Sequence, residues 1–346
     1  MKKIFLLFFS LLFCAVGCAG GGSAAKAETP GGKWALVNAS NVFLRAEARY
    51  GSECVSQSRM GTLVQVLETK GYWVKVRTPE PYEGWVNEVA LAPTEALPAE
   101  KQAEMKEYSP KLKPFGGGEA ASWLASDRYI CTVENAGVHS EASEESQRLS
   151  DLLMSNILWA AKADAPRGWA SVCLPDGRRG FVRSSAVEPF RAWAEGHRKG
   201  GEEVAADIIA LAKRFLGMPY MWGGMSVGHF DCSGLVGFCY FMNGILLPRD
   251  ASQQVKCGVA VQIEDMQPGD LVFFGDSRVS HVALCIGPKR IIHASQVVRI
   301  NSLDPSQPDY YGRNILAVRR ILGHIGEGTE GFAPSFIAES PSYFAK

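Results

Sequence analysis

A short pattern occurs twice in this chain and limits what the chain can fold into. Gly71-Tyr72-Trp73-Val74-Lys75-Val76 is echoed by Arg167-Gly168-Trp169-Ala170-Ser171-Val172. Twelve residues beyond each Trp comes an aromatic in matched context, Gly84-Trp85-Val86 and Gly180-Phe181-Val182. Such internal similarity implies two copies of one small unit, each closing its own core. Around both copies, short runs rich in Val and aromatics alternate with Gly, Asn and Pro, which is strand-and-turn text. Residues 33–92 therefore read as one small all-β barrel and residues 122–192 as a second, with 140–151 an elaborated loop. Between them, residues 93–121 are rich in Ala, Glu, Lys and Pro and read as a linker. A helix is expected over 99–108, and Gly116-Gly117-Gly118 should break the chain after it.

Charge excludes some partners. The 36 Lys and Arg residues balance 36 Asp and Glu, so neither a nucleic acid nor an anionic membrane surface is an expected partner. At the N-terminus, Lys2 and Lys3 precede an apolar run from Ile4 to Val16 and small residues at Gly17 and Cys18. That run falls short of the roughly 20 residues a membrane span needs, so residues 1–18 read as a secretory signal. Ala15-Val16-Gly17-Cys18 also resembles a bacterial lipobox, in which Cys18 becomes the lipidated first residue; with ordinary cleavage Cys18 is incidental. Residues 19–32 suit a flexible tether. The expected location is exported, in the cell envelope, with the membrane a partner through the lipid where Cys18 is modified. Beyond the signal stand Cys54, Cys131, Cys173, Cys232, Cys239, Cys257 and Cys285. An odd number leaves a thiol unpaired, and no disulfide framework is expected.

Residues 201–322 change character. A helix over 202–216 carries Val204, Ile208, Leu211 and Phe215 on one face, with acidic residues at its start and basic ones at its end. A second helix over 232–243 follows a Gly-rich loop, and strands are expected at 270–274, 281–286, 291–294 and 315–321. Helices first and an antiparallel sheet afterwards make this block α+β. Residues 323–346 show little pattern and read as an extension.

The chemistry sits in this third block. Cys232 falls in the first turn of its helix, where unpaired backbone N–H groups and the positive dipole end favour a thiolate. Its neighbours Asp231, Ser233 and Gly234 are polar or small, whereas Cys239 lies between Phe238 and Tyr240 and reads as core. A thiol nucleophile needs a base, and the base needs a group to orient it. His281 opens one strand and His293 closes the next, joined by the turn Gly287-Pro288-Lys289-Arg290. The two rings then become diagonal neighbours on one face, His281 as base and His293 as its orienter. The alternative is zinc held by Cys232, His281 and His293, which usually calls for a carboxylate as well.

Several motifs now combine. Pro219-Tyr220-Met221-Trp222-Gly223-Gly224, Phe230-Asp231-Cys232-Ser233-Gly234-Leu235, Leu247-Pro248-Arg249-Asp250, Pro268-Gly269-Asp270-Leu271 and His281-Val282-Ala283 resemble the NlpC/p60 cell-wall cysteine peptidases in order and spacing. The two barrels resemble bacterial SH3-like (SH3b) modules. The resemblance implies an α+β papain-like catalytic domain preceded by two small all-β SH3-like barrels. It implies Cys232 as nucleophile, His281 as base and His293 as third member, and places Tyr220, Trp222 and Ser233 around the oxyanion and substrate. No cofactor and no metal is implied.

Two barrels before such a block resemble a narrower group, the γ-D-glutamyl-L-diamino acid endopeptidases acting on murein peptides with a free N-terminal L-Ala. That resemblance puts Asp250 where the substrate ammonium is anchored. Glu83 is a candidate second wall of the pocket, or a plain turn carboxylate. Arg249 faces either a substrate carboxylate or a local partner. Two other functions stay open at this point: a non-catalytic wall-binding protein, and a thiol amidase or acyltransferase of the same fold.

Overall fold

The computed structural model describes residues 32–92, 117–161, 163–198 and 202–345. The expected signal segment with Cys18, most of the expected tether and the helix expected over 99–108 lie outside the described residues.

The first barrel is a six-stranded sheet. Its strands are β1 (Lys33–Leu36), β2 (Asn41–Arg45), β3 (Cys54–Arg59), β4 (Leu63–Lys70), β5 (Trp73–Arg77) and β6 (Glu83–Asn87), in the spatial order β1-β4-β5-β6-β2-β3. Ala35, Leu44, Val64, Val74, Val76 and Val86 close its own core. Before the second barrel comes α1 (Gly117–Ala125), where the Gly run was expected to break the chain. The correction has a packing cause: Ala120, Trp123 and Leu124 are buried together, and that burial outweighs the poor helix propensity of two Gly residues.

The second barrel has β7 (Arg128–Cys131), β8 (Asn135–His139), β9 (Arg148–Leu153), β10 (Ile157–Ala160), β11 (Trp169–Cys173), β12 (Arg179–Arg183) and β13 (Val187–Pro189). Its order is β13-β7-β10-β11-β12-β8-β9, which after β13 repeats the first barrel strand for strand. The registers repeat as well. Trp73 faces Asn87 and Lys75 faces Trp85, while Trp169 faces Arg183 and Ser171 faces Phe181. Both Trp residues are buried; Trp85 and Phe181 are half-buried. The barrels meet at Gly61, whose φ is +78° and where a Cβ would stand 2.1 Å from the Ile157 carbonyl oxygen. Only a glycine allows that approach.

The third block begins after α2 (Phe190–Gly196) with α3 (Glu202–Arg214). A hairpin of β14 (Met225–Ser226) and β15 (His229–Phe230) leads into α4 (Cys232–Phe241), which is followed by β16 (Ile245–Leu246) and α5 (Ala251–Gln254). A six-stranded antiparallel sheet then forms from β17 (Val259–Val261), β18 (Leu271–Gly275), β19 (Val279–Gly287), β20 (Arg290–Ser295), β21 (Val297–Ser302) and β22 (Ile315–Arg320). Its order is β17-β22-β18-β19-β20-β21. Helix α4 is buried almost all round, so its ten residues read as core rather than as an amphipathic surface.

The C-terminal segment is structured despite its weak pattern. Strand β23 (Ser335–Phe336) pairs with β16, and Tyr343 and Phe344 are buried. Phe344 stacks on Phe190 with centroids 4.9 Å apart, and Arg128 of β7 donates to the Tyr343 carbonyl. The tail thereby joins the third block to the second barrel.

Candidate active site

Helix α4 starts at Cys232 because Asp231 caps it: the Asp231 carboxylate accepts from the Gly234 N–H at 2.7 Å. A Cβ on Gly234 would sit 1.9 Å from the Gly224 carbonyl oxygen, so this glycine lets the loop close over the helix end. Cys232 is 7% exposed. Burial pushes its thiol up to about 11, and Asp231 adds to that; the backbone N–H groups of Val282 and Ser233 and the Arg249 guanidinium act the other way.

Strands β19 and β20 supply the histidines. Leu284 pairs with Ile292 and Cys285 with Ile291, which makes His281 and His293 diagonal neighbours. His281 Nε2 lies 2.7 Å from His293 Nδ1, and His293 Nε2 lies 2.9 Å from Asn301 Oδ1. The tautomers follow from the outer end of this chain. Asn301 Nδ2 donates to the Asp309 carbonyl at 2.6 Å, which leaves its Oδ1 to accept. His293 must then carry its proton on Nε2 and accept at Nδ1 from His281 Nε2–H. The free lone pair of neutral His281 is left on Nδ1, ready to accept a proton.

Both imidazoles are held neutral. Burial, then the neighbouring His293 and Arg313, lower His281 to about 3; burial lowers His293 to about 4 against its hydrogen bond to Asn301. The Tyr311 ring stands 4.5 Å from His293 and 5.7 Å from His281 and covers the pair. The facing nitrogens bond each other, and among the described residues no group of three His, Cys, Asp or Glu is placed to hold a metal ion.

Comparison with known proteins gives this geometry a family. Residues 217–320 match the NlpC/P60 family and residues 40–92 match the bacterial SH3 domain. A gamma-D-glutamyl-L-lysine dipeptidyl-peptidase of Bacillus cereus is 30% identical over 281 residues, covering 77% of this chain and 75% of that protein. The chain belongs to the NlpC/P60 family. A dipeptidyl-peptidase 6 of Lysinibacillus sphaericus is 28% identical over 285 residues, 80% of this chain and 94% of that protein. The crystal structure of an NlpC/P60 family protein from Bacillus cereus superposes with a TM-score of 0.65 at 25% identity, covering 84% of this chain and 99% of that one.

Within this NlpC/P60 site the remaining candidates fall in different places. Tyr220 is half-buried, and burial together with Cys232 and Asp231 raises its phenol well above the ordinary tyrosine range, so it stays a proton donor near the sulfur. Trp222 is 58% exposed on the same loop. The Ser233 hydroxyl is not free for substrate: it accepts from Arg249 Nη1 at 3.0 Å and donates to Asp231 at 3.3 Å. What Ser233 turns toward the sulfur is its backbone N–H. Arg249 proves to be a local partner, 3% exposed and paired with Asp231 at 2.5 Å.

Asp250 heads α5 and is half-buried; burial raises its carboxyl, opposed by Arg249 and by a hydrogen bond from the Tyr82 hydroxyl. Glu83 does not join it. Its carboxylate is taken by Lys75 at 2.9 Å and Arg77 at 2.6 Å along the barrel face. The first barrel instead reaches Asp250 through Tyr82, the residue just before β6 begins. Tyr82 and Asn301 are the two residues that sequence reasoning passes over. The aromatic before Glu83 was a usable signal for the first; an Asn in a strand of mixed polarity offers none for the second.

Proposed function

We propose that this chain is a cysteine peptidase that hydrolyses γ-D-glutamyl-L-diamino acid bonds in peptidoglycan stem peptides, acting on fragments with a free N-terminal L-Ala. The observation that carries the reading is the ordered chain His281–His293–Asn301, on a strand whose next residue, Val282, turns its backbone N–H to the thiol at the helix N-terminus. Neutral His281 takes the Cys232 proton on Nδ1 as the sulfur attacks the γ-carbonyl carbon. The resulting oxyanion is met by the Cys232 backbone N–H and the Tyr220 hydroxyl. Collapse expels the diamino acid amine, which receives the proton from His281, and leaves a thioester. Water, deprotonated by His281, then releases the γ-glutamyl product and restores the thiol.

The bond named here is supported by the gamma-D-glutamyl-L-lysine dipeptidyl-peptidases of Bacillus among the relatives. The Tyr82–Asp250 contact supports a free amine: a half-buried carboxylate that burial disfavours gains more from an ammonium than from an uncharged amide. Export with lipidation at Cys18 belongs to the same reading, and mass analysis of the mature N-terminus tests it.

The main experiment incubates the mature protein with L-Ala-γ-D-Glu-L-Lys, its diaminopimelate analogue and their N-acetylated forms, with products identified by mass. Expected are L-Ala-γ-D-Glu and free diamino acid from the unacetylated peptides, no cleavage by Cys232→Ala, and loss of the preference in Asp250→Asn. Equal kcat/KM on free and acetylated peptides would overturn the specificity. Full activity in Cys232→Ala would overturn the mechanism.

A further inference from the structure

The chemistry just described needs nothing from a neighbouring module, yet one strand of the first barrel is bonded into the end of the nucleophile's helix. On β3, Gln57 Oε1 accepts from the Met225 N–H at 2.8 Å and from the Ser226 hydroxyl at 2.9 Å, which ties down the β14 hairpin. Its neighbour Ser56 accepts from Arg249 Nε at 3.0 Å. The other end of that guanidinium spans the Asp231 carboxylate, Nη1 to Oδ1 at 3.1 Å and Nη2 to Oδ2 at 2.5 Å. Asp231 in turn accepts from Gly223 N–H at 3.0 Å and caps α4 one residue before Cys232.

We infer that Ser56, Gln57 and Arg249 are positioning residues for Cys232: the first barrel holds Arg249 across Asp231, fixing both the entry of α4 and the charge beside the sulfur. An unpaired buried carboxylate one residue from a thiol opposes thiolate formation, and a guanidinium bonded across both of its oxygens weakens that field. The groups acting on the sulfur are Asp231, Arg249 and the N–H groups of Val282 and Ser233, and the sulfur in turn acts on the Tyr220 phenol. His281, on the residue before Val282, is neutral, which leaves Arg249 as the cation of the set. Arg249 is held from three sides: Asp231 and Ser233 of the catalytic block, and Ser56 of the barrel. Without the barrel hydroxyl its buried Nε–H has lost its acceptor and the fork is free to tilt off the carboxylate.

The inference rests on Cys232 being the nucleophile, and it is tested by a reaction that does not depend on the peptide substrate. Alkylation of Cys232 by iodoacetamide is followed in the full mature chain, over a range of pH, by the mass of the Cys232 peptide. Wild type is compared with Ser56→Ala, Arg249→Met and the double variant Asp231→Asn/Arg249→Met. In Arg249→Met the rate near neutral pH should fall by about tenfold or more and the profile should move to higher pH. The double variant, which removes both charges, should recover to within about threefold of wild type. Ser56→Ala should slow alkylation about threefold to tenfold and lower kcat by the same factor with KM unchanged, since Ser56 is buried away from solvent. Two results overturn the inference: a Ser56→Ala profile that superimposes on wild type, or a double variant as slow as Arg249→Met. Where Arg249→Met does not fold, Ser56→Ala decides alone. Slow peptide cleavage by all proteins, with the alkylation differences intact, would count against the substrate and in favour of the coupling.

Discussion

Strand β3 of the first barrel and strand β9 of the second occupy the same place in the same strand order, and their side chains meet different surroundings. On β3, Ser56 and Gln57 are about 1% exposed and bonded to catalytic-block groups. On β9, Arg148 and Asp151 are exposed and pair with each other. The second barrel reaches the third block elsewhere, through an exposed Arg214–Glu134 ion pair and through the aromatic packing of Phe190, Tyr343 and Phe344. The contrast teaches that one strand order leaves some positions of β3 and β9 uncommitted to the barrel core. Those positions serve as active-site scaffold in one copy and as solvated surface in the other.

The largest effect that would probe this contrast is on stability. Phe190 is fully buried where α2 leaves the second barrel, so Phe190→Ala should cost about 3–5 kcal/mol in denaturant unfolding while kcat of the folded protein stays at the wild-type value. A parallel fall in kcat would mean that the second barrel is coupled to the site as the first is. Next in size, Asn301→Leu sets the scale of a loss that comes from the relay itself. It strands His293 Nε2–H and frees the other tautomer, and kcat should fall about 10- to 100-fold with KM unchanged. A loss below threefold would show that His293 is oriented without Asn301. The smallest effect is at the barrel's edge of the pocket. Tyr82→Phe removes one hydroxyl, should change stability by less than about 1 kcal/mol, and should narrow the preference for free over N-acetylated peptide about threefold to tenfold. An unchanged preference would confine the first barrel's role to β3.

Much of the architecture is legible in the chain because it repeats local rules. The Trp73 and Trp169 contexts announce matched strands, and the periodicity of Val204, Ile208, Leu211 and Phe215 announces α3. Cys232 and the histidine hairpin are legible because position relative to a helix start and a turn is a local property. Helix α1 and the C-terminal strap are not, since their apolar residues are few and acquire meaning only against Phe190, Phe241 and Arg128. Strand β21 escapes for the same reason: Val297–Ser302 alternates weakly, and its pairing with β20 makes it a strand.

By itself, then, the sequence determined which groups are chemically capable: a thiol at a helix end and two imidazoles two strand positions out of register. Those follow from periods of 3.6 and 2 and from turn residues, all readable within a dozen positions. The tertiary structure alone decided which of two carboxylates meets Tyr82 and which is neutralised on the barrel face. It also decided that Arg249 serves Asp231 rather than a substrate, and that Asn301 completes the histidine chain. The contacts involved span from 8 positions, His293 to Asn301, to the 193 positions from Ser56 to Arg249. Hydrogen bonds act over about 3 Å, and no local pattern encodes which distant atoms will come that close.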